Sequence, residues 1–212
     1  MPYDLYVITD ETLAGGLSHA EIARRAVAGG ADAIQLRDKT LDCRELARVG
    51  KKIRAVTNPA GALFIVNDRL DVALSCGADG VHLGQGDLSL DVARQLAPPG
   101  FIIGVSVGNA DEALAAESAG ADYVALSPVF GTTSKADAGP GQGLGQLRKI
   151  RMAIRIPVIA IGGIGPGNVQ DVIRAGAAGA AVISAVVSAP DITVAARTLK
   201  TLIRQAREEA KD

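Results

Sequence analysis

The sequence predicts an α/β fold, namely a single (β/α)8 TIM barrel over residues 1–212. Eight short apolar runs alternate with stretches of helical periodicity. Each run ends in polar, charged or small residues, as strands do at the functional rim of such a barrel. The tripeptide Gly-Ala-Asp recurs at intervals that hold two strand–helix units each, which favours a barrel over an open sheet. A chain of 212 residues suits one domain of this kind.

The predicted elements follow one another in order along the chain. Strands are predicted at 4–9, 33–37, 63–67, 80–83, 102–106, 123–126, 157–161 and 180–183. Helical patterns lie between them, for example at 20–28, 44–56, 110–119 and 193–210. The Gly-Ala-Asp copies begin at Gly30, Gly77 and Gly120. A degenerate fourth copy begins at Gly176, where Ala178 replaces the aspartate. We expect each glycine to end a helix just before the next strand begins.

Composition excludes several classes of partner. The net charge of -1 provides no global field that would attract nucleic acid or an anionic membrane. The apolar runs are strand-sized and the N-terminus lacks a signal-like pattern, so we expect a cytoplasmic protein without a membrane partner. Cys43 and Cys76 form no ligand or disulfide pattern and are expected to be free, buried thiols. The composition is compatible with a homo-oligomer but does not predict one.

Basic residues at the end of the second predicted strand indicate an anion clamp. Arg37 and Lys39 alternate along the strand end, so both side chains can point to the same side of the rim. Gln35 lies one period earlier and faces the same way. The alternative is an ordinary surface pair that Asp38 neutralises.

Carboxylates after the third and fourth strands indicate a metal seat. Asp68, which follows Asn67, and Asp87 come from adjacent barrel loops. Oxygen ligands of this kind suit Mg2+, which is usually shared between one or two carboxylates and substrate phosphates.

The ends of the seventh and eighth strands suggest a second anion centre. Gly162 and Gly163 follow one strand and Ser184 follows the other, where barrel enzymes often bind phosphate on backbone N–H groups. Neither glycine-rich segment matches a dinucleotide or Walker A pattern. Two anion centres imply two phosphorylated small-molecule substrates.

The connection 128–143 is long, rich in glycine and without helical periodicity, which suggests a lid. The alternative is an idle surface insertion. His82 is expected to pack or to hydrogen-bond beneath the rim.

Taken together, the motifs resemble the thiamine phosphate synthase family over nearly the whole chain. The segments that carry the resemblance are Tyr6-Val7-Ile8-Thr9-Asp10, Gln35-Leu36-Arg37-Asp38-Lys39, Asn67-Asp68-Arg69, Gly80-Val81-His82-Leu83-Gly84-Gln85 with Asp87, Gly104-Val105-Ser106, Lys135 and Ala160-Ile161-Gly162-Gly163-Ile164. The resemblance implies that 4-amino-2-methyl-5-hydroxymethylpyrimidine diphosphate and 4-methyl-5-(2-hydroxyethyl)thiazole phosphate give thiamine phosphate and pyrophosphate by a dissociative, Mg2+-assisted substitution.

The resemblance also implies roles for individual residues. The pyrimidine diphosphate would be held by Gln35, Arg37, Lys39, Asn67, Ser106 and Lys135, of which Arg37, Ser106 and Lys135 would be catalytic. The thiazole phosphate would meet Thr132, Thr133, Ser134, Gly163, Ile183 and Ser184. Asp68 and Asp87 would hold Mg2+.

Some positions depart from the family pattern, and two other functions remain open. Gly108 stands where the family often has His, Asp38 replaces a common Glu, Ser127 replaces Gly, and Ser134 replaces Thr. One alternative is an isomerase like the related thiazole tautomerases, which use the histidine that is absent at Gly108. The other is a regulator without turnover, which should have lost Asp68, Asp87 or Lys135. A sugar-phosphate isomerase or aldolase would need a catalytic lysine or carboxylate inside the barrel.

Overall fold

The computed structural model describes residues 3–132 and 139–210, and these form a closed parallel barrel surrounded by helices. The strands run in the order β1 to β8, and β8 pairs with β1 to close the ring. Their bounds are β1 Leu5–Ile8, β2 Ala33–Leu36, β3 Leu63–Asn67, β4 Gly80–Leu83, β5 Ile102–Val107, β6 Tyr123–Leu126, β7 Val158–Ile161 and β8 Gly179–Val182. The predicted fold class is confirmed, and each predicted strand matches an observed one to within a residue or two at either end.

Helices cover the outside of the barrel. Their bounds are α1 His19–Ala28, α2 Cys43–Ala60, α3 Leu70–Cys76, α4 Leu90–Leu96, α5 Ala110–Ser118, α6 Gly143–Ala153, α7 Val169–Arg174, α8 Ser184–Val187 and α9 Ile192–Glu209. The α2 helix runs four residues past the predicted end at 56, includes Pro59 in its last turn, and stops at Gly61 in the left-handed conformation. In the described part of the chain, no helix is long and apolar enough to cross a membrane.

Side chains alternate along each strand between two cores. Leu5 and Val7 point outward into the large core between the strands and the helices. Tyr6 and Ile8 point inward, where they join a smaller core inside the barrel. Because all eight strands pair in parallel, the residues that follow them lie at one end of the barrel, as the sequence predicts.

The two cysteines behave differently from each other. Both are free, as expected, and Cys76 is buried. Cys43, however, is exposed, so the prediction of a buried thiol is wrong there. It is the first residue of α2, where the side chain faces solvent and its Sγ lies 3.5 Å from a carboxylate oxygen of Asp71.

Candidate active site

A chain of hydrogen bonds lies inside the barrel, just beneath the rim. Gln35 Nε2 donates to the hydroxyl of Tyr6 at 2.8 Å, and that hydroxyl lies 3.1 Å from the hydroxyl of Tyr123. The Tyr123 hydroxyl lies 3.0 Å from His82 Nδ1, and His82 Nε2 lies 2.9 Å from Ser106 Oγ. Burial raises the pKa of both phenols, so both stay protonated at neutral pH. The expected position of His82 beneath the rim is confirmed.

Gly104 provides the space that this chain of hydrogen bonds needs. A Cβ atom at Gly104 would lie 2.0 Å from Cζ of Tyr123, well inside van der Waals contact. Any larger residue would displace the Tyr123 ring, which stacks on His82 with ring centroids 5.5 Å apart. The glycine two residues before Ser106 thus leaves room for the ring that supports His82 and Ser106.

Above this network, a cavity of about 350 Å3 gathers most of the clamp and metal candidates. Its lining includes Arg37, Lys39, Asn67, Asp68, His82, Asp87, Ser106 and Ser127. Lys39 Nζ lies 2.9 Å from Asp68 Oδ2, and the Lys39 side chain remains 60% exposed. The carboxylate of Asp38 turns instead towards His19, Thr40 and Leu41. Arg37 and Lys39 therefore both line the cavity, and in the described contacts the Asp38 carboxylate pairs with neither of them.

Asp68 and Asp87 lie close together at this rim. Asp68 has a φ of 63° and is the only non-glycine residue with a positive φ among the residues that the structure describes. Its backbone N–H donates to the carbonyl of His82 at 2.8 Å. One carboxylate oxygen of Asp87 accepts the N–H of Gly84 at 2.7 Å. Burial first, and then the charge of Asp68, raise the pKa of Asp87.

The donor set of this acidic pair suits a hard cation that keeps other ligands. Within the described residues, no group of three or more His, Cys, Asp or Glu side chains converges on a metal position. Two carboxylates that repel each other are nonetheless relieved by a divalent cation, and Mg2+ commonly takes only one or two protein carboxylates, with water and phosphate oxygens completing its shell. The residues present therefore fit Mg2+ bound together with a phosphorylated substrate.

A second cavity, of about 390 Å3, adjoins the first at Ser127, which lines both. Its lining includes Thr132, Gly162, Gly163, Ile183 and Ser184. Gly162 and Gly163 have φ values of 104° and 60°, and a Cβ at Gly163 would lie 2.6 Å from the carbonyl oxygen of Gly131. Glycine is thus required there for both conformation and close approach. The structure leaves the backbone bare along one wall of the cavity.

The long connection between β6 and α6 is closed at its base. Gln142 N donates to the carbonyl of Pro128 at 3.0 Å, and Gly143 N donates to the carbonyl of Val129 at 2.8 Å. Three candidates on this connection, namely Thr133, Ser134 and Lys135, lie outside the described residues.

The sequence missed the residues that support the rim from below. Tyr6 and Tyr123 lie in predicted strands without a predicted role, although each occupies an inward position where a buried hydroxyl requires a partner. His19 lies between the predicted first strand and first helix, yet it is fully buried against Asp38 and Thr9. A polar side chain on an inward strand position was the available signal for the tyrosines. No comparable signal was available for His19.

Comparison with known proteins agrees with this geometry. The family described as thiamine monophosphate synthase matches residues 5–186. The thiamine-phosphate synthase of Methanoregula boonei is 64% identical over 212 residues, covering 100% of this chain and 98% of the relative. That of Methanoculleus marisnigri is 59% identical over 211 residues, covering 100% of both chains. The solved structure of thiamine phosphate pyrophosphorylase from Pyrococcus furiosus matches with a TM-score of 0.90 and 45% identity, covering 97% of each chain. The chain therefore belongs to the thiamine monophosphate synthase family.

Proposed function

We propose that this protein is a thiamine phosphate synthase. It joins 4-amino-2-methyl-5-hydroxymethylpyrimidine diphosphate to 4-methyl-5-(2-hydroxyethyl)thiazole phosphate. The C–O bond of the pyrimidine substrate breaks, and pyrophosphate leaves with the bonding electron pair. The lone pair of the thiazole nitrogen then forms the new C–N bond, which gives thiamine phosphate.

One observation supports this proposal above all others: two cavities adjoin at a single rim. Their linings differ in charge and in polar groups, and the two substrates differ correspondingly, since one carries a diphosphate and the other a single phosphate. The first cavity combines the cations Arg37 and Lys39 with the acidic pair Asp68 and Asp87, which suits a diphosphate bound with a divalent ion. The second is lined by glycine backbone and by the start of α8, which suits a single phosphate. Because Ser127 lines both, the reacting ends of the two substrates can meet between them.

In the first cavity, charge is the main contribution of the protein. Negative charge grows on the departing pyrophosphate, and Arg37 and Lys39 are preorganised to stabilise it. Asp68 and Asp87 would hold Mg2+, which supplies further positive charge to the leaving group when it is bound. Gln35, Asn67 and Ser106 would hold the pyrimidine, and the buried hydrogen bonds beneath them fix Gln35 and Ser106 in place.

In the second cavity, position is the main contribution. Gly163, Ile183 and Ser184 would bind the thiazole phosphate, together with Thr132 and with Thr133 and Ser134 of the connecting loop. A bound phosphate would hold the thiazole nitrogen at the mouth of the first cavity. The attack of the nitrogen on the pyrimidine carbon would then be effectively unimolecular.

The loop after β6 supplies the remaining catalytic group in this proposal. Lys135 would add a third cation to the pyrophosphate, and closure of the loop would exclude water that could otherwise trap the carbocation. The hydrogen-bonded base formed by Pro128, Val129, Gln142 and Gly143 gives such a lid fixed ends.

The isomerase and regulator alternatives are not favoured. The backbone of Gly108 is bound by Glu112 and Gln146, at 2.7 Å and 3.2 Å, and this position brings no imidazole to the rim. Asp68 and Asp87 are both present at the cavity, where a regulator without turnover has no need of them.

Two-substrate kinetics tests the assignment of the cavities. We expect Lys39→Ala to raise the KM of the pyrimidine diphosphate by roughly tenfold, the usual effect of one charge-assisted contact, with the KM of the thiazole phosphate nearly unchanged. Ser184→Ala should do the reverse. Ser188→Ala, at the far end of α8, is the matched control and should leave both values as they are in wild type. Equal effects of Lys39→Ala on both substrates would contradict the two-cavity assignment.

A further inference from the structure

His19 is buried at the start of α1 and is not among the described residues that line the two cavities. Its side chain is fully inaccessible to solvent. Nδ1 lies 2.7 Å from the hydroxyl of Thr9, at the end of β1, and Nε2 lies 3.1 Å from Oδ2 of Asp38. The backbone N–H of His19 donates to Oε1 of Glu11 at 2.8 Å. The imidazole therefore joins the end of β1 to the loop that follows β2.

Asp38 is the centre of the loop that carries the clamp. Its Oδ1 accepts the N–H and the hydroxyl of Thr40, both at 2.7 Å, and the N–H of Leu41 at 3.0 Å. Its Oδ2 remains for His19. Burial raises the pKa of Asp38, but the hydrogen bonds from Thr40, Leu41 and His19 outweigh it and lower the pKa to about 2. Asp38 is thus an acceptor at neutral pH, and His19 Nε2 must carry the proton between them.

The direction of the Asp38 carboxylate matters for the cations on either side of it. A carboxylate between Arg37 and Lys39 could fold back onto either of them. Here it is 14% exposed and contacts His19, while Lys39 reaches Asp68 and Arg37 lines the cavity. The contact with His19 keeps the Asp38 carboxylate away from both cations, which line the first cavity.

We propose that His19 is a positioning residue for the anion clamp. Through its contact with Asp38, His19 keeps Arg37 and Lys39 directed at the diphosphate of the first substrate. This inference rests on the proposed function, because the clamp is assigned there. It predicts that the loss of His19 impairs one substrate and not the other.

The first experiment compares steady-state kinetics of wild type, His19→Ala and His19→Gln. His19→Ala should lower kcat/KM for the pyrimidine diphosphate by roughly tenfold, as slight misplacement of a charged clamp does, and should change the KM of the thiazole phosphate by less than about twofold. Gln can still donate from its amide towards Asp38, so His19→Gln should recover most of the loss. Ser18→Ala is the matched control, because it disturbs the N-cap of α1 without touching Asp38. It should match wild type for both substrates.

A second experiment separates a positioning role from a general loss of structure. In a Lys39→Ala background, His19→Ala should have a much smaller effect than in wild type, since part of what it positions is already absent. The inference would be overturned if His19→Ala lowered kcat/KM for the pyrimidine diphosphate as much in the Lys39→Ala background as in wild type. It would also be overturned if His19→Ala impaired both substrates equally. If His19→Ala does not fold, the same comparison is made with His19→Asn, which can still reach Thr9 but is too short to reach Asp38.

The two proposals fail differently. If Lys39→Ala impairs the pyrimidine substrate and folded His19→Ala or His19→Asn matches wild type, only the positioning role is wrong. If wild type makes no thiamine phosphate, the proposed function is wrong, and the positioning role falls with it.

Discussion

Asp38 and Asp87 lie on loops of the same rim, yet their surroundings shift their pKa values in opposite directions. Asp38 accepts hydrogen bonds from Thr40, Leu41 and His19, which favour its charged form. Asp87 is disfavoured as an anion by burial and by its neighbour Asp68. The first carboxylate is satisfied by the protein itself. The second lies against another carboxylate, and a bound cation would relieve that repulsion.

The first prediction at the residue scale concerns the stability that Asp38 contributes. A folded-state pKa of about 2 against a normal value of 3.8 makes the charged form favourable for folding by about 2 kcal/mol. Because the folded pKa is lowered, this stability is fully present above about pH 4 and is lost as the pH falls towards 2. Urea unfolding of wild type and Asp38→Asn should differ by about that amount near pH 6 and should converge in acid.

Asp111→Asn, an exposed substitution in the first turn of α5, provides the control for that experiment. A difference between wild type and Asp38→Asn that stays constant down to about pH 2 would show that Asp38 does not contribute through its charge.

The rim positions of the clamp and of the acidic pair could be predicted from the sequence, but the residues that support them could not. Arg37, Lys39, Asp68 and Asp87 were predictable because each follows a strand, and strand ends meet at one rim. The contact between His19 and Asp38 depends on where the first turn of α1 packs against the loop after β2. No period or motif in the sequence encodes that distance.

At the scale of elements, the Gly-Ala-Asp copies tie alternate strands to the helices at the end of the barrel opposite the site. Asp32, Asp79 and Asp122 accept the N–H groups of Leu5, Phe64 and Ile103, one in each preceding strand, at 2.7–2.8 Å. Each carboxylate also pairs with a helical cation, namely Lys200, Arg54 or Arg94. The repeat is therefore a device that fixes strand starts.

The sequence predicted the role of the glycines in this repeat but not the contacts of the aspartates. The glycines of all four copies do have positive φ, between 69° and 100°, at or just after the helix end, as predicted. The carboxylate contacts were not predicted, because they depend on which strand lies beside which in the closed barrel. In the degenerate fourth copy, Ala178 provides no carboxylate. Its backbone carbonyl instead accepts a hydrogen bond from the guanidinium of Arg207 in α9.

The prediction at this scale is that Asp79→Ala lowers stability without altering catalysis. The substitution leaves the N–H of Phe64 without its carboxylate acceptor and Arg54 without its ion pair, which should cost about 1–3 kcal/mol of unfolding free energy. Asp79 lies at the opposite end of β4 from the site, so kcat/KM for both substrates should change by less than about twofold. Urea unfolding and steady-state kinetics on the same preparation measure both quantities, with Asp111→Ala as the surface control. Unchanged stability, or a selective loss of activity, would contradict this assignment.

At the scale of the whole molecule, closure of the barrel makes the site. Pairing of β8 with β1 brings Ser184, which follows the last strand, to the same rim as Arg37 and Asp68. The eight strands and their order were predictable from the spacing of the apolar runs. The division of the rim into two adjoining cavities was predicted only as two anion centres, because cavity shape depends on side-chain packing that spacing does not determine.

The most direct test is to measure thiamine phosphate and pyrophosphate formed by the wild-type protein from both substrates, with Mg2+ and with a chelator. The same assay is applied to Asp68→Asn and to Asp111→Asn as the matched control. We expect equimolar products from wild type and Asp111→Asn. The rate should fall by at least about 100-fold on chelation or in Asp68→Asn, the usual loss when a main electrostatic stabiliser is removed. Absence of product from folded wild-type protein would contradict the proposed function. Turnover insensitive to both chelation and Asp68→Asn would contradict the role of the acidic pair.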